Sequence, residues 1–174
     1  MLERGFIHLY FGDGKGKTTS AIGLAIRALG AGLKVAFFQF FKPGNSSEVK
    51  IFKTFYPNLY YASFHHGGFV KDKEISKELK EKILEGYALF KGLLSSKAYD
   101  VIILDEFVYA LTWNIIDLEE FLEVLKNKPL EIEIVITGRE PPLALIEASD
   151  LVTEMKMIKH YFQRGVKARW GIEK

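Results

Sequence analysis

Between Gly12 and Thr18 the sequence reads Gly-Asp-Gly-Lys-Gly-Lys-Thr, residue types that in this order suit an anion. Glycines at 12, 14 and 16 let the backbone turn its N–H groups toward phosphate oxygens, Lys15 and Lys17 add positive charge, and Thr18 offers a hydroxyl to Mg²⁺, with Thr19 beside it. The phosphate-loop pattern G-x-x-x-x-G-K-[ST] ends on Gly16, Lys17 and Thr18, but Phe11 stands where its first glycine belongs. An apolar stretch precedes the loop and a helical pattern follows it, so the positive end of a helix completes the anion site. A glycine-rich turn with nothing bound is the poorer account of that context.

A second group lies far along the chain. Asp105 and Glu106 close the apolar run VIILDE, where phosphate-loop proteins hold Mg²⁺ directly or through water. The competing reading, an acidic cap on the next helix, weakens beside a phosphate loop. Arg139, in TGRE, ends another strand, where a guanidinium meets phosphate or carboxylate bidentately; a surface arginine is the alternative. His65, His66 and His160 read as solvated polar residues rather than ligands or acid/base groups. These residues by themselves support binding of a nucleoside triphosphate with Mg²⁺ and leave the reaction unnamed.

The elements that must position them alternate between strand and helix. Residues 5–10, 34–40, 59–64, 99–106, 133–139 and 151–157 read as strands, and the near-continuous apolar character of 34–40 suits a strand covered on both faces. Helices are predicted over 17–29, closed by Gly30 and Gly32, over 73–97, where Ile75, Leu79, Ile83, Tyr87, Phe90 and Leu94 repeat at helical spacing, and onward from Glu106 to about Lys126. Gly23, inside the first helix, reads as a close helix-to-sheet contact. Such alternation predicts an α/β fold with a mostly parallel sheet between helices, and ligands at the carboxyl ends of its strands.

At 174 residues with 48% apolar composition the chain suits one domain, 1–174, with one sizeable core. A net charge of +2 is too small to argue for nucleic acid, and no cysteine is present to form a disulfide, a thiolate zinc site or a thiol nucleophile. No run is long and apolar enough for a membrane span and no signal-peptide order opens the chain, so a cytoplasmic protein is expected.

Six stretches, GDGKGKTT, VAFFQFFKPG, VIILDE, VITGRE, SDLVTEM and the tail KHYFQRGVKARWGIEK, together resemble the P-loop type of ATP:cob(I)alamin adenosyltransferases, also called ATP:corrinoid adenosyltransferases, from about Gly5 to the end. The resemblance implies a three-layer αβα, RecA-like P-loop NTPase fold. It also implies transfer of the 5′-deoxyadenosyl group of ATP to the cobalt(I) of a reduced corrinoid with release of triphosphate. ATP with Mg²⁺ or Mn²⁺, a corrinoid substrate, a reduced flavoprotein donor and a homodimer come with it. Cobalt(I) is itself the nucleophile, so the protein needs only to position C5′ and stabilise the departing triphosphate. The reactions left as alternatives are an ordinary P-loop ATPase or kinase releasing ADP, and a nucleotide-dependent module that hands on a corrinoid without chemistry.

Carried over by position, residues 12–18 match the family's ATP loop with Thr19 beside it, and Asp105 and Glu106 match its acidic pair, Glu106 being favoured as the metal-linked one. Arg27 matches an arginine of the first helix without an assigned role. Phe69 matches an aromatic that helps displace the corrinoid's lower ligand. Three departures stand out. Asp13 replaces a common Asn and is expected to point to solvent. Lys71 replaces a second aromatic, whose share in lower-ligand displacement would fall to Phe64 or Trp170. The amino-terminal segment that covers the site in some members is expected to be absent.

Overall fold

Strands built from Val, Ile, Leu and Phe without polar alternation have no face to give to water, so each needs a layer on both sides. The computed structural model, which describes residues 2–65 and 75–173, supplies those layers. Its strands are β1 (Ile7–Phe11), β2 (Val35–Phe40), β3 (Leu59–Phe64), β4 (Val101–Asp105), β5 (Glu133–Thr137) and β6 (Leu151–Glu154). They form one sheet in the order β3-β2-β4-β5-β1-β6, every pair parallel. The expected mostly parallel sheet is parallel throughout. Every residue of β2 and β4 is buried, whereas β6, at an edge, is exposed along its whole length.

The helices are α1 (Lys17–Gly30), α2 (Ser47–Phe52), α3 (Lys77–Ser96), α4 (Val108–Thr112), α5 (Leu118–Lys126) and α6 (Leu143–Ala148). Ala21, Ala25 and Ala28 present a narrow small-residue stripe, and α1 lays it against Val35, Phe37, Val101, Ile103 and Val135. The opposite face carries Ala36, Phe38, Phe40, Ile102, Leu104, Ile134 and Ile136, covered by Leu79, Ile83, Phe90 and Leu94 of α3 and by Phe121 and Leu125 of α5. This is the αβα sandwich that the strand–helix alternation implies. Because every pair is parallel, all the strands' carboxyl ends lie at one edge of the sheet, where ligands bind in such folds.

Several boundaries differ from the sequence expectation. β1 runs to Phe11 and β6 stops at Glu154, because beyond it the chain turns to bond the loop at residues 12–14. Ser76 caps α3 by accepting the Leu79 N–H at 3.1 Å, so that helix starts at Lys77; the expected start at residue 73 lies outside the described residues. Gly23 is exposed on α1 and a Cβ there would meet nothing, which corrects its reading as a packing contact. Close approach is instead required at Gly86, where an added Cβ would lie 2.6 Å from the Phe64 ring.

Candidate active site

Asp105 ends β4 with its carboxylate fully enclosed, and four donors converge on it. Thr18 Oγ1 and Thr137 Oγ1 donate to Oδ1 at 2.9 and 2.8 Å; Gln39 Nε2 and Lys42 Nζ donate to Oδ2 at 3.1 and 2.8 Å. Sheet register explains Gln39, since it pairs directly with Asp105 across β2 and β4. Tyr61 on β3 holds Gln39 in turn, its hydroxyl donating to Oε1 at 2.9 Å, and burial pushes the Tyr61 pKa up to about 12. A buried carboxylate is tolerated only when its lone pairs are so satisfied.

Glu106 is held differently. Its φ of +61° places a non-glycine residue in the left-handed region, a conformation that costs about 1–3 kcal/mol and clusters at functional sites. Its N–H donates to Thr137 Oγ1 at 2.9 Å, Oε1 lies 3.6 Å from Lys42 Nζ, and Oε2 is buried with no hydrogen-bond partner among the described residues. Thr137 thereby links the two residues, donating to the Asp105 carboxylate and accepting from the Glu106 main chain.

Lys42 was not singled out from the sequence. The chain turns left-handed at Phe41, φ +58°, which sets that ring against Tyr109 and Trp113 at 6.0 and 5.1 Å and sends the next side chain into the acidic centre. Burial alone would lower the Lys42 pKa, but the charges and hydrogen bonds of Asp105 and Glu106 outweigh it and leave the value raised. Two signals pointed this way: Gln39 is a lone polar residue in an apolar strand, and Lys42 lies just past that strand's carboxyl end.

The phosphate loop is closed upon itself. Lys17 Nζ is buried and donates to the carbonyls of Gly12 and Gly14 at 2.7 and 2.9 Å. Burial lowers its pKa; Glu106 and Asp105 oppose that, while Arg139 and Lys42 add to it. The glycines serve a purpose beyond freeing N–H groups. The Gly12 N–H donates to Arg139 O and the Gly14 N–H to Met155 O, and Cβ atoms at 12 and 14 would lie 2.5 and 2.6 Å from that Met155 oxygen. Gly16, with φ +123°, starts the turn into α1.

The remaining predicted residues fall in three places. Thr19 is exposed in the first turn of α1, and Arg139 is exposed beside the loop that its carbonyl holds. Asp13 is exposed as expected, yet it also accepts the Met157 N–H at 3.0 Å and so anchors the chain after β6. Lys15 reaches the carboxyl-terminal tail, donating to Ile172 O at 3.2 Å and Glu173 Oε1 at 3.4 Å. Arg27 lies ten residues along α1 from Lys17, about 15 Å at helical rise, so α1 does not bring it to the site. His160 accepts the Phe162 N–H and caps a 3₁₀ turn at Tyr161–Arg164. Phe69, His66 and Lys71 lie outside the described residues.

Thr18, Asp105 and Glu106 are all hard oxygen donors, and the orphaned Glu106 Oε2 is a ligand in waiting, so these residues fit a divalent cation. Among the described residues no three His, Cys, Asp or Glu form a metal cage. Two carboxylates and a hydroxyl are a donor set that Mg²⁺ accepts when substrate phosphates complete its shell.

The fold recurs in solved structures. The flagellar accessory protein FlaH from Methanocaldococcus jannaschii superposes with a TM-score of 0.62 at 18% identity, over 88% of this chain and 72% of that one. The cytoplasmic domain of EssC gives 0.57 at 18% identity, over 97% and 34%. The central sheet and these neighbours agree with the expected three-layer, RecA-like P-loop NTPase fold. In sequence, the corrinoid adenosyltransferases of Pseudomonas aeruginosa PAO1 and Escherichia coli K12 are each 34% identical to this chain over 98% of it, and over 84% and 86% of their own lengths. Corrinoid adenosyltransferase CobA of Salmonella typhimurium LT2 is 31% identical over 98% of this chain and 86% of its own length. The model of the ATP:corrinoid adenosyltransferase BtuR/CobO/CobP family matches residues 3–173, and the chain belongs to that family.

Proposed function

We propose that this chain adenosylates a corrinoid with ATP through a site built to stabilise a leaving group. Family membership supports adenosyl transfer from ATP over the ATPase or kinase alternative. The observation that carries the residue-level reading is the convergence of Lys17, Thr18, Asp105 and Glu106 at one sheet edge. In the reaction cobalt(I) of the reduced corrinoid donates an electron pair to C5′ of ATP. The cobalt–carbon bond forms, the C5′–oxygen bond breaks, and that bond's electrons leave with triphosphate.

The protein's work is positional and electrostatic. Lys17 turns from the Gly12 and Gly14 carbonyls to the phosphate oxygens. Lys15 within the loop and Arg139 beside it add charge to the same anion, and the N–H groups at the start of α1 face it. Mg²⁺ or Mn²⁺, held by Thr18, Asp105 and Glu106, supplies further positive charge to the departing triphosphate. Phe69 takes the lower-ligand role on the strength of the resemblance. That resemblance also supports a reduced flavoprotein donor and a homodimer, and a cytoplasmic location is proposed with them; no helix among the described residues is long and apolar enough to cross a membrane.

The test is anaerobic turnover with ATP, Mg²⁺ and a chemically reduced corrinoid, following the corrinoid's absorbance and the phosphate products together. Alkylated corrinoid with triphosphate is expected; ADP with orthophosphate, or an unaltered corrinoid, contradicts the reading.

A further inference from the structure

Lys42 touches the residues read as the cation site and offsets one of their two negative charges before any cation arrives. Its Nζ lies 2.8 Å from Thr18 Oγ1, 2.8 Å from Asp105 Oδ2 and 3.6 Å from Glu106 Oε1. We propose that Lys42 is a tethered counter-ion that occupies the divalent-cation position in the nucleotide-free protein and yields it to the metal–nucleotide complex. The proposal rests on the reading of Thr18, Asp105 and Glu106 as the cation site.

A divalent cation and the Lys42 ammonium would compete for the same ligands. A divalent cation sits about 2.0–2.1 Å from its oxygens, so bound to this trio it would share the space of an ammonium hydrogen-bonded to two of them. Two positive centres so close in a partly buried site repel strongly, and one must leave. Lys42 is equipped to leave, because its side chain is 32% exposed and its four-carbon stem is flexible. The main chain beneath it stays fixed: the Phe41 N–H donates to Phe64 O, and Ser63 Oγ donates to Lys42 O. A free cation would have to expel an ammonium with only two carboxylates and a hydroxyl to gain. A cation that arrives with a triphosphate brings further ligands for itself and an anion for the displaced ammonium. Lys42 thereby couples metal entry to nucleotide entry.

The experiment measures Mn²⁺ binding to the full nucleotide-free chain by electron paramagnetic resonance, comparing wild type, Lys42→Met and Lys42→Arg. Lys42→Met should bind Mn²⁺ about tenfold tighter or more, and Lys42→Arg should resemble wild type. The gain should persist in 0.5 M salt, since competition for shared ligands survives screening that would erase a remote charge effect. Mg²⁺ alone should raise the Tm of Lys42→Met more than that of wild type. Equal Mn²⁺ affinities in wild type and Lys42→Met, or a gain that disappears in salt, overturn the proposal. The wild type gives an independent readout should Lys42→Met fold poorly: the ¹⁵N resonance of Lys42 Nζ should move when Mg²⁺ and ATP are added together, and an unmoved resonance also overturns it. Mn²⁺ that fails to bind wild type even with ATP present would contradict the cation-site reading itself, an outcome distinct from equal affinities without nucleotide.

Discussion

The phosphate loop and the acidic centre meet at Thr18, yet they are held by opposite means. In the loop a buried ammonium, Lys17, rests on neutral backbone carbonyls of Gly12 and Gly14. In the centre two carboxylates face a part-exposed ammonium, Lys42. The carbonyls stand where phosphate oxygens are expected to act and Lys42 stands where a cation is expected to sit. The strain is also unevenly placed: the loop's left-handed positions at 12 and 16 are glycines, which adopt them freely, whereas the centre's falls on Glu106. The loop is therefore conformationally relaxed and poised to exchange partners, and the centre is a strained charge cluster.

Substitutions can break that contrast. The largest effect is expected from Lys17→Ala, which removes the loop's one buried cation and should lower kcat by about 10²–10³-fold at saturating ATP in steady-state assays, the scale of losing one transition-state donor. Asp105→Asn should come next. An amide cannot accept at both ends, so its NH₂ would face two of the four present donors, costing about 3 kcal/mol in denaturant unfolding together with most of the activity. Gly14→Ala should cost about 1–3 kcal/mol by calorimetry, because the added methyl meets backbone at Met155 and Lys156 rather than a yielding side chain. Glu106→Gly sharpens the contrast with the smallest stability change and the opposite sign. Relief of the left-handed backbone should stabilise by about 1 kcal/mol, raising Tm by about 2–4 °C, while adenosyl transfer falls.

Much of this was legible in sequence because periodicity and loop chemistry are local signals. The limits of β3, Leu59–Phe64, and the heavily buried stripe of α3 follow from apolar spacing alone. Lys17, Thr18, Asp105 and Glu106 follow from residue type at strand ends, and the sheet does bring them together. Strand order, by contrast, is a property of crossovers, and no residue pattern encodes that β1 lies between β5 and β6. Lys42 was hidden because Phe-Lys-Pro-Gly reads as a turn, and only register with β4 shows that the turn overlooks two carboxylates. The chain after β6 was misread as strand through 157, because what holds it is a set of single long-range bonds to Asp13 and Gly14. The tail beyond has its own local staple, in which Glu173 accepts from Arg169, Lys15 and Tyr161, side chains too dispersed to form a motif.

The central claim is that internal groups stand in for the nucleotide and its cation until both arrive. A crystal structure of the protein with Mg²⁺ and ATP, without corrinoid, tests it most directly. Lys17 Nζ should then be hydrogen-bonded to a phosphate oxygen and parted from the Gly12 and Gly14 carbonyls, with the cation on Thr18, Asp105 and Glu106 and Lys42 withdrawn. Lys17 still on those carbonyls and Lys42 still on Asp105, with ATP bound, would contradict it.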